Sequence, residues 1–251
     1  VHPSHLIRRA IELYAAGMTA TAISRELRLP RGTVSHWLHS DSRRATERAA
    51  EISRCPRCDV PPRPPDDGPA YAHLLGLYLG DGHLVTSARV PVLRIACDDA
   101  WPALIDKCEE AMRRVIARSV QRVPKIGCTS VQSYSMHWPC LLPQHGPGMK
   151  HQREIALLPW QEEVVDEFPG DFARGLFHSD GCRSENRVVR NGKEYRYPRY
   201  MFSNESRDIM RLCQECLDRL GVPWRMCKPN MLSVARKEGV AVLDGCVGAK
   251  A

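Results

Sequence analysis

Two short stretches about one hundred residues apart constrain this chain more than any other feature: LLGLYLGDG (Leu74–Gly82) and ARGLFHSDG (Ala173–Gly181). Each reads as an apolar helix that ends on a carboxylate. An acid there faces the negative end of the helix dipole, so Asp81 and Asp180 need a reason that lies outside their own helices. Small residues recur four apart, Gly76 with Gly80 and Gly175 with Ser179. Residues so spaced share a helix face, and their lack of bulk lets two backbones approach closely. Packed through that face, the helices bring Asp81 and Asp180 out side by side. The glycine after each acid, Gly82 or Gly181, is expected to take a left-handed C-cap conformation.

The segments downstream of the two stretches repeat as well. HLVTSARVPVLRIAC reads as strands, WPALIDKCEEAMRRVIA as an amphipathic helix, and RVPKIGCTSVQSYSMHW as further strands. CRSENRVVRNGKEYRYPRYMFSN, RDIMRLCQECLDRLG and PWRMCKPNMLSVAR keep the same order. The expected fold class is α+β, with two pseudo-symmetric αββαββα repeats at about residues 70–168 and 169–251. The strands alternate apolar with polar residues, which suits sheets with one wet face.

Two carboxylates converging in one cleft repel unless protonated or bridged by a cation. A shared Mg²⁺ (or Mn²⁺), bound by few carboxylates plus water and phosphate oxygens, suits Asp81 and Asp180. Such an ion supports phosphodiester hydrolysis by activating water and stabilising the leaving oxygen.

Ahead of the repeats, residues 1–40 read as three short helices. HLIRRAIELYAAG stops at Gly17, MTATAISRELRLP starts from Thr19 or Thr21 and stops before Pro30, and RGTVSHWLHS carries Val34, Trp37 and Leu38 inward. This register is similar to a helix-turn-helix, whose last helix enters the major groove and here presents Arg31, Thr33, Ser35 and His36. A small bundle that binds protein is the other reading. Residues 41–69 form a linker, charged and Ala-rich and then crowded with proline. Within it Cys55 and Cys58 have the C-x-x-C spacing of a structural Zn²⁺ knuckle. Cys213 and Cys216 share the spacing but fall on the buried side of an amphipathic helix. The remaining cysteines among the eleven show no framework and read as reduced, buried hydrophobes of a cytoplasmic protein, nucleoid-associated if bacterial. No apolar run is long enough for a membrane span. Thirty-six Lys and Arg against 29 Asp and Glu give +7, which permits a polyanionic partner without requiring one.

LLGLYLGDG and ARGLFHSDG resemble the two motifs of a LAGLIDADG homing endonuclease of the single-chain, two-repeat type, over about residues 70–250. The resemblance implies a monomer that cuts a long specific site in double-stranded DNA and leaves short 3′ overhangs. Asp81 and Asp180 would bind the catalytic metal, with the Gly80 and Ser179 carbonyls as further ligands. It also implies basic residues around the metal. Lys150, in QHGPGMKHQREIALLPWQ, is the first choice, and Lys250 is its counterpart one hundred residues on; His145, His151, Gln152 and Arg153 stay uncommitted. The sheets would form a saddle on the major groove, with Arg183, Asn186, Arg190, Lys193, Arg196 and Arg199 in the second repeat and Gln132, Ser133 and Ser135 in the first as contacts. His178 departs from the motif and reads as a packing or hydrogen-bonding residue. Two alternatives keep the fold: a transcriptional regulator that binds DNA without cutting, favoured by the helix-turn-helix, and an RNA-splicing helper.

Overall fold

The computed structural model describes residues 4–39, 65–248 and 250, which form two compact units. Arg31, Thr33 and Ser35 lie on a described helix of the first unit, whereas the side chain of His36 and the knuckle residues Cys55 and Cys58 lie outside what is described. Among the described residues no helix is long and apolar enough to cross a membrane.

The first unit holds α1 (Ser4–Ala15), α2 (Ala20–Glu26) and α3 (Arg31–His39). Gly17, at φ +90°, ends the turn after α1 in the left-handed region that glycine tolerates. Thr19 caps α2, its hydroxyl accepting from the Ala22 amide. Ala10, Leu13, Ile23, Val34, Trp37 and Leu38 form its core. Arg31 is exposed at the start of α3, and Thr33 and Ser35 are half-buried.

The second unit runs α4 (Gly68–Asp81), β1 (Gly82–Val85), β2 (Val92–Asp98), α5 (Pro102–Val115), β3 (Gln121–Lys125), β4 (Cys128–Tyr134), a single-turn α6 (Trp138–Leu141) and α7 (Pro159–Glu167). It then repeats the order: α8 (Pro169–Ser179), β5 (Gly181–Arg190), β6 (Lys193–Ser203), α9 (Arg207–Arg219), β7 (Arg225–Lys228), β8 (Met231–Val234) and α10 (Lys237–Cys246). Two four-stranded antiparallel sheets result, ordered β1-β2-β4-β3 and β5-β6-β8-β7. One face of each covers the helices and the other stays open.

The central helices α4 and α8 pack through the glycines. A Cβ on Gly76 would stand 2.6 Å from the Phe172 carbonyl oxygen and 2.8 Å from the Gly175 Cα, and one on Gly175 would strike the His73 carbonyl. Ten consecutive residues of α4, Ala70 to Leu79, are buried. The glycines after the acids behave differently from the expectation. Gly82 sits at φ −86°, ψ 149°, and Gly181 is not in the left-handed region either. The chain passes from helix straight into strand, folding over its preceding turn. A Cβ would meet the Tyr78 Cα at 2.5 Å or the Phe177 Cα at 2.6 Å. Close approach, rather than positive φ, requires glycine here.

Strand register sorts the expected contacts. Side chains alternate between faces, so Gln132 and Ser133 cannot share one. Gln132 takes the open face, bonded to Gln121, while Ser133 lies opposite Leu93, fully buried, and accepts from the Trp138 indole at 3.0 Å. Ser135 lies beyond β4, where its hydroxyl accepts from the His137 amide. In the second sheet Asn186, Arg190, Lys193 and Arg199 share the open face. Arg183 and Arg196 point the other way with Tyr200, Arg183 pairing with Asp244 at 2.7 Å and Arg196 with Glu194 at 2.8 Å. Cys213 and Cys216 are buried on α9 and spent on packing.

Candidate functional site

Because α4 and α8 pack in parallel through small residues, their C-terminal ends arrive together. A Cβ added to Gly80 would run into the Ser179 side chain and stand 2.9 Å from Asp180 Oδ2. Asp81 therefore faces Asp180 across an interface only a glycine and a serine wide. Partial burial first, then the Asp180 charge, raise the Asp81 carboxyl to about 6, although its other side meets solvent. Burial likewise raises Asp180, while a hydrogen bond from Asn204 and the nearby lysines pull it back down. Asn204 Nδ2 donates to Asp180 Oδ2 at 2.6 Å.

Two lysines reach the same place from segments that follow the strands of their repeats. Lys150, on a short 3₁₀ turn (Lys150–Gln152), donates to the carbonyls of Tyr78, Leu79 and Gly80, the last two at 3.0 and 2.9 Å. Lys250 donates to the Ser179 carbonyl at 3.1 Å. Each ammonium thus sits on the negative end of a motif helix, where a cation is favoured by roughly 0.3–2 kcal/mol depending on burial. Burial lowers Lys150 to about 8, and the two aspartates oppose that shift. Lys250 is lowered by burial as well, against the pull of Asp81. The acids disfavoured by their own helices are compensated by lysines brought from elsewhere. The Gly80 and Ser179 carbonyls, expected as metal ligands, each give one lone pair to a lysine and keep the second.

The segment that delivers Lys150 is held firmly. Arg153 donates to the carbonyls of Gln144 and Gly148, shaping the turn. Gln144 bonds Gln161, and Gln161 bonds the Tyr71 hydroxyl, both at 2.6 Å, tying the segment to α4 in the core. His145 Nδ1 lies 2.9 Å from the Leu142 carbonyl, while His151 and Gln152 are exposed. His178 is buried on α8, edge-on to His73 at 5.8 Å, with Nε2 3.1 Å from the Val247 carbonyl. Burial lowers it to about 4, so it is neutral near pH 7 and packs between elements, outside the cleft.

Among the described residues no group of three or more His, Cys, Asp and Glu gathers to form a metal cage. Two crowded carboxylates with raised affinity for protons fit a different occupant. A hard, oxygen-seeking divalent ion with few protein ligands would neutralise them, its other positions left for water and phosphate.

Sequence reasoning missed Asn204, Tyr195 and Tyr197. Only the pairing of Gly181 with Phe202 places Asn204 beside Asp180. Tyr195 and Tyr197 alternate along β6 on its open face, with stacked rings 6.3 Å apart and Lys193 over Tyr195. Their period-two spacing was the available signal.

Residues 6–44 match the family model of a homeodomain-like domain. No curated protein matches the chain in sequence. Among solved structures it is similar to mesophilic variants of the homing endonuclease I-DmoI, at 11% identity and a TM-score of 0.44, over 72% of this chain and 97% of that one. It is similar to the LAGLIDADG meganuclease I-AabMI bound to uncleaved DNA, at 11% identity and a TM-score of 0.43, over 70% and 83%. The N-terminal LAGLIDADG domain of DUF199/WhiA resembles it at 11% identity and a TM-score of 0.46, over 81% and 91%. The family-model match thus covers an N-terminal helical region, and the structural likenesses, at low identity, concern the fold alone.

Proposed function

We propose that this chain is a site-specific, metal-dependent endonuclease that hydrolyses both strands of DNA and leaves short 3′ overhangs. The single observation that carries the reading is the meeting of Asp81 and Asp180 at the glycine-packed helix ends, flanked by Lys150 and Lys250. Asp81 and Asp180 would hold Mg²⁺ or Mn²⁺, which when bound lowers the pKa of water and stabilises the leaving oxygen. The lysines add positive charge where a phosphate would gain negative charge. All three N–H groups of Lys150 are engaged by backbone carbonyls, so it contributes charge and holds the helix end rather than relaying a proton. Asn204 orients the Asp180 carboxylate and favours its ionised form against the burial that opposes it. The N-terminal helices would add a second, separate contact to duplex DNA, through Arg31, Thr33, Ser35 and His36.

Incubating the full chain with a duplex DNA library and Mg²⁺ should yield discrete cuts that vanish with Asp81→Asn or Asp180→Asn. Tight binding of a selected duplex with no cutting in Mg²⁺ or Mn²⁺ would overturn the nuclease reading. That outcome would favour the second reading, a DNA-binding transcriptional regulator, for which the homeodomain-like region speaks. Promoter occupancy in cells that survives both Asp→Asn changes is its signature.

A further inference from the structure

The opposite end of the central helix pair holds a second concentration of charge. A cavity of about 190 Å³ lies there, lined by His73 from the first turns of α4, by Asp171 and Arg174 from those of α8, and by Lys107, Glu110 and Arg114 from α5. The three α5 residues are spaced three and four apart, so they share one helix face. At 1.5 Å per residue, His73 stands about 12 Å from Asp81 along α4. The cavity is therefore separate from the acid pair.

Its cations outnumber its acids. Asp171 pairs with Arg174, while Arg114 is held by Asp67 at 2.7 Å and approached by Glu110 at 3.5 Å. Among the described residues Lys107 has no ion pair. Hydrogen-bond donors are in surplus as well. His73 is only 7% exposed, and its Nε2 has no partner; Arg174 Nε, also buried, has none either. An arginine Nε–H can only donate, so the partner it lacks is an acceptor. Burial first, then Arg174, His178 and Lys107, lower His73 to about 3, which leaves a neutral ring with one N–H to give. A buried donor without an acceptor is costly. The N-terminal ends of α4 and α8 add their own partial positive charge, and α8 has no side-chain cap. A metal ion is the wrong occupant here, because Lys107 and Arg174 would repel it.

We propose that this cavity binds a phosphate-group oxyanion, which accepts from His73 Nε2 and Arg174 Nε, is neutralised by Lys107, and ties α4, α5 and α8 together at the end remote from the acids. The proposal goes beyond the nuclease reading and does not depend on it. Its tetrahedral oxygens supply acceptors in several directions at once, as donors on three helices require. Bound there, the anion draws both repeats together, since α4 and α5 belong to the first and α8 to the second.

Thermal unfolding of the full chain with a chelator present tests this, as millimolar inorganic phosphate replaces chloride at constant ionic strength. At such concentrations the general exclusion effect of phosphate is small, so Tm should rise along a saturating binding curve. Lys107→Gln should weaken the apparent affinity about tenfold, as should Arg174→Lys, which keeps the charge but loses the Nε donor. Arg113→Gln, on the same helix but outside the cavity lining, removes the same charge as Lys107→Gln and should leave the affinity in place. Long-range nitrogen–proton NMR spectra should show the His73 Nε2 signal moving with phosphate, a readout that stands even if Arg174→Lys does not fold. A parallel titration with adenosine monophosphate separates the sources: tighter binding than phosphate assigns the site to a nucleotide, and equal or weaker binding to the free ion. Absence of a saturating rise with either compound overturns the proposal. Equal weakening by Lys107→Gln and Arg113→Gln overturns it too, being the mark of general charge. Undiminished binding by both Lys107→Gln and Arg174→Lys, with His73 Nε2 unmoved, places the ion elsewhere and also overturns it.

Discussion

The two repeats meet as near equals at the helix ends and then treat their acids differently. Asp180 has a neutral partner, Asn204, two residues beyond Phe202, which pairs with Gly181. In the first repeat Ile95 pairs with Gly82, so the matching position is Cys97, a buried free thiol hydrogen-bonded to the Cys108 thiol. Among the described residues nothing hydrogen-bonds to the Asp81 carboxylate. Lys150 grips three carbonyls of α4, while Lys250 holds one carbonyl of α8. Equal backbones, then, carry unequal electrostatics. Burial raises both acids, but only Asp180 has a donor that stabilises its ionised form.

The largest test of this pairing is loss of either acid. Asp81→Asn and Asp180→Asn should each lower double-strand cleavage by about a thousandfold or more, the several kcal/mol that a bound ion supplies. DNA binding should persist, as a gel-shift assay with a selected duplex would show. If one substitution left full activity, the two halves would not act as a pair.

Next comes the packing that brings the halves together. Gly175→Val puts a side chain where the His73 carbonyl and the Gly76 Cα already stand. Backbone cannot yield as a flexible side chain can, so the cost should be about 3 kcal/mol, read from urea unfolding. The control is Gly245→Ala, where a Cβ meets nothing within 4 Å and stability should hold.

Asn204→Ala sharpens the contrast. It should slow cutting by the Asp180 half about 10–100-fold, as loss of an orienting partner does. Cys97→Ala lacks that role, so nicked duplex should accumulate only in the Asn204 variant. Nicking to the same extent in both variants would erase the distinction.

The smallest effect is a pH dependence. Asp81 binds its proton more tightly folded, at about 6, than unfolded, at about 3.8. Its stabilising contribution is present below about 3.8 and is lost as pH rises through about 6. His73 and His178, lowered by burial to about 3 and about 4, act in the opposite sense and lose stability as pH falls below about 6.5. Comparing wild type with Asp81→Asn in a chelator cancels the histidines. The variant should gain relative stability as pH rises from 4 to 7, and a flat difference would show that Asp81 is not crowded.

Much of this was legible before any coordinates. The small-xxx-small spacing of Gly76, Gly80, Gly175 and Ser179 announced which helix faces meet, because only backbone contact demands such residues. Repetition of the element order announced two similar halves, and the apolar phases of α1 to α3 announced the N-terminal core. Other features required the tertiary structure. Ser133, Arg183 and Arg196 were expected on a DNA-facing surface, and register turned them away from it. Composition does not encode the face, and a shift of one residue exchanges the two. Asn204 reaches Asp180 only through pairing between strands distant in sequence. Lys150 lies about seventy residues from the carbonyls it holds, so no local pattern links them.

By itself, then, the sequence determined what short-range chemistry can specify: the helices, their close-packing faces, the carboxylates at their ends and the repeat that doubles them. Tertiary structure alone decided which face each strand residue occupies, which acid has a donor, and which carbonyls the lysines hold. Those outcomes depend on through-space neighbours and on dielectric surroundings, neither of which a linear pattern carries.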